Sequence, residues 1–188
     1  MELEQVLVKR VSTRKYNDRM PDDESIQKVI NVALLSPLVR WHKFHLSVVT
    51  NKDVMNLADE AAAEIFSRPD APIKMPRPFM YGAPVWIILS GKKYVESEDP
   101  QAKLKNENMF WNVGSIIENM ELQATALGLA SCGINTTVVA MHNRPDVRKA
   151  VGIPEGYDAL ASVIIGYTDS DLQERTVKTE LIPVSYVR

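Results

Sequence analysis

Apolar residues recur every three to four positions over the longest patterned stretch of the chain, from about Asn108 to Cys132. That spacing places side chains on one helical face and predicts a helix. Further apolar residues widen the stripe, so we expect a core helix at a subunit interface. Gly114 would let another backbone approach, and Gly128 or Gly133 is a natural end. The stripe consists of Met109, Val113, Ile116, Ile117, Met120, Ala124 and Leu127.

Shorter helices and strands are predicted on both sides of this helix. Acids after Pro21 and an asparagine at Asn51 are typical of helix starts, and each precedes an apolar stripe of helical period. Five prolines between Arg68 and Pro84 disfavour helix and strand, which predicts a loop or a cover. With no linker or repeat, we expect one α/β or α+β domain over residues 1–188. Short apolar runs predict three strands, Phe44–Thr50, Val85–Ser90 and Leu160–Gly166.

Composition limits the classes of function. Hydrophobic residues make up 45% of the 188 residues, enough for one packed domain. The net charge of −2 predicts no nucleic-acid partner, because such partners usually require an excess of Lys and Arg. No apolar run is long enough to predict a membrane span. A single cysteine permits no intramolecular disulfide, so we expect a cytoplasmic protein.

Arg10, Ser12 and Arg14 alternate along a segment that is predicted to be extended, so their side chains fall on one side. Two guanidinium groups beside a hydroxyl suit an anion such as phosphate. The alternative is a solvated basic patch at the end of the first helix. The residues alone do not decide between the two, because such short patterns also occur by chance.

Other reactive residues give weaker indications. His42, His45 and His142 suggest a metal site. However, His42 and His45 form an H-x-x-H pair that enters a predicted strand, where side chains three positions apart point to opposite faces. No acidic or thiolate companion lies at ligand spacing. We therefore expect no metal site. Cys132 and Ser131 follow no pattern that supplies a base or a nucleophile elbow, and Cys132 is expected to be a small buried residue.

Four motifs follow one another along nearly the whole chain. They are R-x-S-x-R-x-Y at Arg10–Tyr16, GAPVWIIL at Gly82–Leu89, the helix with its ending NVGSIIENMELQATALGLASCGI, and VGIPEGYDALASVIIGY at Val151–Tyr167. In this order they resemble the nitroreductase family of FMN-dependent oxidoreductases. The resemblance implies an α+β fold, with a central, mostly antiparallel sheet flanked by helices. It also implies an intertwined homodimer with two FMN sites between the subunits.

The resemblance also implies a role for each matched segment. The residues expected to bind the FMN phosphate and ribityl chain are Arg10, Val11, Ser12 and Arg14. A further basic residue for the phosphate is Lys178, or alternatively Arg175. The segments expected to place main-chain groups near the flavin ring are Ile134, Asn135 and Thr136, and Pro37, Leu38, Val39 and Arg40. The stretch from Pro37 to His45 departs from the family's P-S-A-x-N-x-Q-P-W pattern. That departure leaves the ring contacts and the substrate preference open.

The family's chemistry implies NADH or NADPH as the reductant and an oxidised small molecule, such as a nitroaromatic or a quinone, as the acceptor, in a ping-pong sequence. The flavin carries the hydride, so no catalytic side chain is expected. Two alternatives stay open: another flavin reaction, such as enone reduction or dehalogenation, and a non-catalytic flavin-binding dimer. Polar residues of the central helix, Asn112 and Asn119 among them, are expected to face the dimer seam.

Overall fold

The structure is a computed structural model of one chain, and it describes residues 1–39, 42–71, 73–75, 77–92, 99–178 and 181–187. Within these ranges it contains six helices and four strands. In chain order they are α1 (Leu3–Lys9), α2 (Asp23–Leu34), β1 (Phe44–Val49), α3 (Lys52–Phe66), β2 (Val85–Gly91), α4 (Pro100–Ala126), β3 (Ala130–Gly133), α5 (Thr136–His142), α6 (Pro145–Ala150) and β4 (Asp158–Gly166).

The strands form one antiparallel sheet in the order β1-β2-β4-β3. All of β2 is buried, and its side chains alternate between two faces. Trp86 and Ile88 pack in a core with residues of α3 and α5, whereas Val85, Ile87 and Leu89 pack in a second core with α2 and α4. Helices therefore cover both faces of a central antiparallel sheet, and the predicted α+β fold is confirmed.

Local sequence signals account for most element boundaries. The three predicted strands are β1, β2 and β4. The Asn51 side chain accepts from the Asp53 N–H at 2.9 Å at the start of α3, and the Asp22 side chain accepts from the Ser25 N–H at 2.7 Å at the start of α2. The described part of the proline-rich stretch contains no helix or strand, as predicted.

The central helix is displaced from its predicted range. α4 begins at Pro100 and ends at Ala126, rather than running from about Asn108 to Cys132. Gly128 follows with a φ of 76°, a left-handed conformation that ends helices. The apolar residues beyond it form β3, which pairs with β4. Of the two predicted ends, Gly128 is therefore confirmed. The extension of the helix to Cys132 was wrong, because an apolar run does not by itself distinguish a buried helix from a short buried strand.

Candidate functional site

The basic segment after α1, residues 10–14, runs along the edge of the sheet. Ser12 forms a parallel bridge with Ser131 of β3, and the Thr13 N–H donates to the Ser131 carbonyl at 2.9 Å. The backbone is therefore extended, as predicted. Thr13 is buried and Val11 is half-buried, while Ser12 and Arg14 are exposed. Alternation along the strand edge thus leaves a hydroxyl and a guanidinium on the open side.

Arg10 lies between α1 and α4, with 13% of its side chain exposed. Its guanidinium is 3.5 Å from a carboxylate oxygen of Glu118 and 3.5 Å from one of Glu121. The nitrogen 3.5 Å from Glu118 is the buried Nε, and its N–H makes no hydrogen bond of good geometry in the described part of the chain. A phosphate oxygen in line with this N–H would give it the hydrogen bond that the Glu118 carboxylate does not. This atom is the observation that makes the segment fit a phosphate.

Arg14 supplies the second positive charge. Its guanidinium donates to the Ser12 carbonyl at 3.4 Å and is exposed. No carboxylate of the described residues lies within ion-pair distance of it. Arg14 is therefore available to an anion that approaches the open side of the segment.

Glu121 is a buried acid beneath the basic segment that was not predicted as a site residue. Besides Arg10, its carboxylate accepts from the Gly133 N–H at 3.2 Å and from Ser131 Oγ at 3.4 Å. Burial raises the pKa of Glu121, and the nearby Arg10 opposes that shift. An acid within the apolar stripe of the central helix was the available signal, but its partners are distant in sequence.

Cys132 and Tyr16 lie near Glu121 and the basic segment, and neither is assigned a catalytic role. Cys132 is 2% exposed in β3, and burial raises the pKa of its thiol. This agrees with the prediction of a small buried residue. Burial also raises the pKa of Tyr16, whose hydroxyl has no hydrogen-bond partner within the described residues.

The segment from Ile134 to Thr136 follows β3 directly. The Ile134 N–H donates to the Ser162 carbonyl at 2.9 Å, and Ser162 Oγ donates to the Ile134 carbonyl at 2.7 Å. The main chain of Ile134 is thus already bonded. The N–H groups of Asn135 and Thr136, at the start of α5, are the ones left to face a ligand.

The loop at Pro37–Val39 is held by α4. Asn112 donates to the Pro37 carbonyl at 3.2 Å and accepts from the Val39 N–H at 3.2 Å, and Leu38 between them is exposed. Arg40 was expected here but lies outside the described residues. His42 is buried, with Nδ1 2.8 Å from the Asn112 side-chain oxygen and Nε2 3.0 Å from the Lys105 carbonyl.

Two polar residues of α4 that were expected to face the dimer seam make hydrogen bonds within their own chain. Asn112 is buried against the Pro37–Val39 loop, and Asn119 donates to Ser36 Oγ at 2.8 Å. The expectation that both face the dimer seam stays a prediction, because the structure contains one chain. Their hydrogen-bond partners belong to the same chain but lie far away in sequence.

The predicted site residues do not all meet within one chain. Arg10 contacts α4 at Glu121, whereas the Pro37–Val39 loop contacts the same helix at Asn112. At 1.5 Å per residue, Asn112 and Glu121 are roughly 14 Å apart along the helix axis. Lys178 is exposed, and in the described part of the chain no hydrogen bond or ion pair links its side chain to the basic segment. Arg175 contacts α1, since its guanidinium donates to the Leu7 carbonyl at 2.9 Å.

The surroundings of the site add three observations. A cavity of about 270 Å³ lies between α3 and the 78–84 segment, away from the basic segment. In the described ranges, no group of three or more His, Cys, Asp or Glu side chains is placed to hold a metal. No described helix combines the length and the apolar character needed to cross a bilayer.

Fold and site together define an α+β protein with a basic segment on the edge of its antiparallel sheet. The model of the nitroreductase family matches residues 7–167. The chain therefore belongs to the nitroreductase family of oxidoreductases.

Several relatives share this architecture. A provisionally named NADH dehydrogenase/NAD(P)H nitroreductase of Archaeoglobus fulgidus is 26% identical over 161 residues, which is 84% of this chain and 80% of the relative. An FMN-bound nitroreductase structure from Desulfitobacterium hafniense has a TM-score of 0.81 at 21% identity and covers 99% of this chain and 98% of its own. Another FMN-bound nitroreductase, from Bacteroides fragilis, has a TM-score of 0.78 at 24% identity and covers 100% of both chains. At these identities the two solved structures establish the shared fold.

Proposed function

We propose that the protein is an FMN-dependent oxidoreductase that takes electrons from NADH or NADPH and passes them to an oxidised small molecule such as a nitroaromatic or a quinone. The observation that carries the proposal is the buried Nε–H of Arg10 in the basic segment, which lies 3.5 Å from the Glu118 carboxylate but makes no hydrogen bond to a described residue. Family membership and the FMN bound by two similar structures support FMN as the anion. When bound, FMN supplies the hydride chemistry.

The side chains bind and orient the cofactor, and none is assigned a proton transfer. Arg10 and Arg14 hold the phosphate through charge-assisted hydrogen bonds, and the Ser12 hydroxyl donates a further one. Asn135 and Thr136 present main-chain donors to the ring edge, beside Ile134. Lys178 or Arg175 adds a positive charge near the phosphate.

We further propose that the site is completed by a second copy of the chain. Within one copy the Pro37–Val39 loop lies far from the basic segment, so in a homodimer the loop of one copy would meet the basic segment of its partner. Large apolar side chains on α4 support such a contact, since Phe110 and Trp111 are exposed. So do apolar residues of the C-terminal tail, namely Leu181, Ile182, Val184 and Val187. The cytoplasmic location stays an expectation from the single cysteine.

Absorbance and fluorescence test the cofactor directly. The purified protein is loaded with FMN and desalted, and we expect it to keep a yellow chromophore. In the absence of oxygen, NADH or NADPH should bleach that chromophore. A protein that retains no flavin after loading contradicts the proposal. Flavin that is retained but not bleached by NADH or NADPH would instead favour the non-catalytic flavin-binding dimer.

Arg14→Ala tests the phosphate contact. The change removes a charge-assisted pair, so FMN affinity should fall by about 1.5–3 kcal/mol. Riboflavin, which lacks the phosphate, should bind as before. Lys15→Ala is the matched control, since Lys15 is an exposed cation next to Arg14 whose side chain alternates to the other side. Equal FMN affinity in Arg14→Ala and the parent protein would remove Arg14 from the site.

The acceptor is tested by steady-state assays with NADH and NADPH against a nitroaromatic, a quinone, an enone and a halogenated aromatic. We expect nitroaromatic and quinone reduction with parallel-line kinetics, since one product leaves before the acceptor binds. Turnover confined to the enone or the halogenated compound would favour the other flavin reactions on this scaffold.

A further inference from the structure

One carboxylate oxygen joins two parts of the proposed site. Oε1 of Glu121 lies 3.5 Å from an Arg10 nitrogen, 3.4 Å from Ser131 Oγ and 3.2 Å from the Gly133 nitrogen. Arg10 belongs to the basic segment, whereas Gly133 leads into the Ile134–Thr136 segment. Glu121 is 6% exposed, so the contact is fixed inside the protein by α1, α4 and β3.

The charges around Arg10 largely offset one another. Glu118 and Glu121 both lie within ion-pair distance of the same guanidinium. An arriving phosphate therefore meets two carboxylates as well as Arg10. Because Glu121 is buried, solvent screens its charge less than it screens the charge of the half-buried Glu118. The repulsion from Glu121 is the larger of the two.

We propose that Glu121 is a positioning residue that holds Arg10 against β3 and, through its charge, limits the affinity of the site for the phosphate group of FMN. The inference rests on the proposed function, in which Arg10 and Arg14 bind that phosphate. Glutamine at this position keeps an acceptor for Gly133 and Ser131 but carries no charge. FMN therefore binds more tightly to Glu121→Gln, whereas riboflavin binds equally to both proteins.

The pH dependence gives a second signature. Burial raises the pKa of Glu121, so the carboxyl is protonated at a higher pH than an exposed acid. The charged and titratable groups around it are Arg10, Arg14, Tyr16, Glu118 and Cys132. Burial raises the pKa of Tyr16 and Cys132, which keeps both neutral where carboxylic acids titrate. As the pH falls, the parent protein comes to resemble Glu121→Gln, and the difference in FMN affinity closes. Titration of the FMN phosphate itself is common to both proteins and cancels in their ratio.

The experiment measures dissociation constants for FMN and riboflavin by flavin fluorescence, from about pH 8 down to about pH 5, the range above the usual carboxyl values. At the higher pH, Glu121→Gln should bind FMN on the order of tenfold more tightly than the parent protein. Riboflavin affinity should be equal in the two. Glu118→Gln should also bind FMN more tightly than the parent protein, but by a smaller factor. If Glu121→Gln does not fold, Glu118→Gln still tests whether a carboxylate beside Arg10 opposes binding of the phosphate. Glu107→Gln is the control, an exposed acid on the same helix, and should change neither constant.

Two outcomes overturn the inference. FMN affinity that is unchanged in Glu121→Gln, or in Glu118→Gln where Glu121→Gln does not fold, shows that these charges do not act on the phosphate. FMN affinity that falls in Glu121→Gln shows that the residue only supports β3 and Arg10. A parent protein that binds riboflavin as tightly as FMN is a distinct result, since it removes the phosphate site of the proposed function and the inference with it.

Discussion

Among single residues outside the candidate site, Asp59 links a helix to the segment that follows it. It lies on α3 and is buried, and its carboxylate accepts from the Arg77 Nε–H at 2.8 Å and from the Phe79 N–H at 2.6 Å. Phe79 is itself buried, so its N–H has no access to solvent without Asp59. We expect Asp59→Ala to lower the free energy of unfolding by about 2–4 kcal/mol, because it leaves that donor unpaired and breaks the ion pair.

Urea denaturation followed by circular dichroism would measure this change. Asp59→Asn should cost less, since its side-chain oxygen can still accept from Phe79. The control is Asp70→Ala, which removes an exposed partner of Arg68 in the same part of the chain and should change stability by less than about 1 kcal/mol. A similar loss in both alanine variants would show that burial at Asp59 is not the cause.

At the scale of elements, the end of α4 decides where the apolar run changes from helix to strand. Gly128 has a φ of 76°, and a Cβ placed there would meet no atom within 4 Å. The cost of a side chain is therefore conformational rather than steric. We expect Gly128→Ala to lower the free energy of unfolding by about 1 kcal/mol, and Gly128→Asn by less, because asparagine tolerates the left-handed region better. Thermal unfolding of the three proteins would test the order, and an alanine variant as stable as the parent would contradict it.

The boundary between α4 and β3 also shows which parts of the fold could be predicted from the sequence. β2 was predicted because it is a short apolar run bounded by Pro84 and Gly91, and the α3 start because Asn51 is a local cap. β3 was not, because its identity depends on pairing with β4, which follows much later in the chain. The role of Glu121 depends in the same way on Arg10, a residue distant in sequence. Local chemistry was predictable from the sequence, whereas contacts between distant segments were not.

On the scale of the whole molecule, the distribution of exposed apolar surface predicts an assembly. Trp111 is 78% exposed on α4, and the neighbouring Phe110 is exposed as well. Gly114, one turn further along, has open space around it. Exposed aromatic residues beside a small one are typical of a surface that another chain covers, and buried tryptophans carry much of the binding energy in such contacts.

Trp111→Glu should therefore weaken the homodimer and, with it, FMN binding. Placing a charge in a dehydrated contact and removing the aromatic ring should raise the dimer dissociation constant by about thirtyfold or more, equivalent to roughly 2 kcal/mol or more. FMN occupancy should fall in parallel, because in the proposed shared site each basic segment is completed by the Pro37–Val39 loop of the other copy. Light scattering with simultaneous flavin absorbance measures both quantities on one sample. Ile73→Glu, at an exposed apolar position far from α4 in sequence, is the control and should leave both unchanged. A stable monomer that keeps its full complement of FMN would show that one chain suffices for the site and would overturn the shared-site proposal.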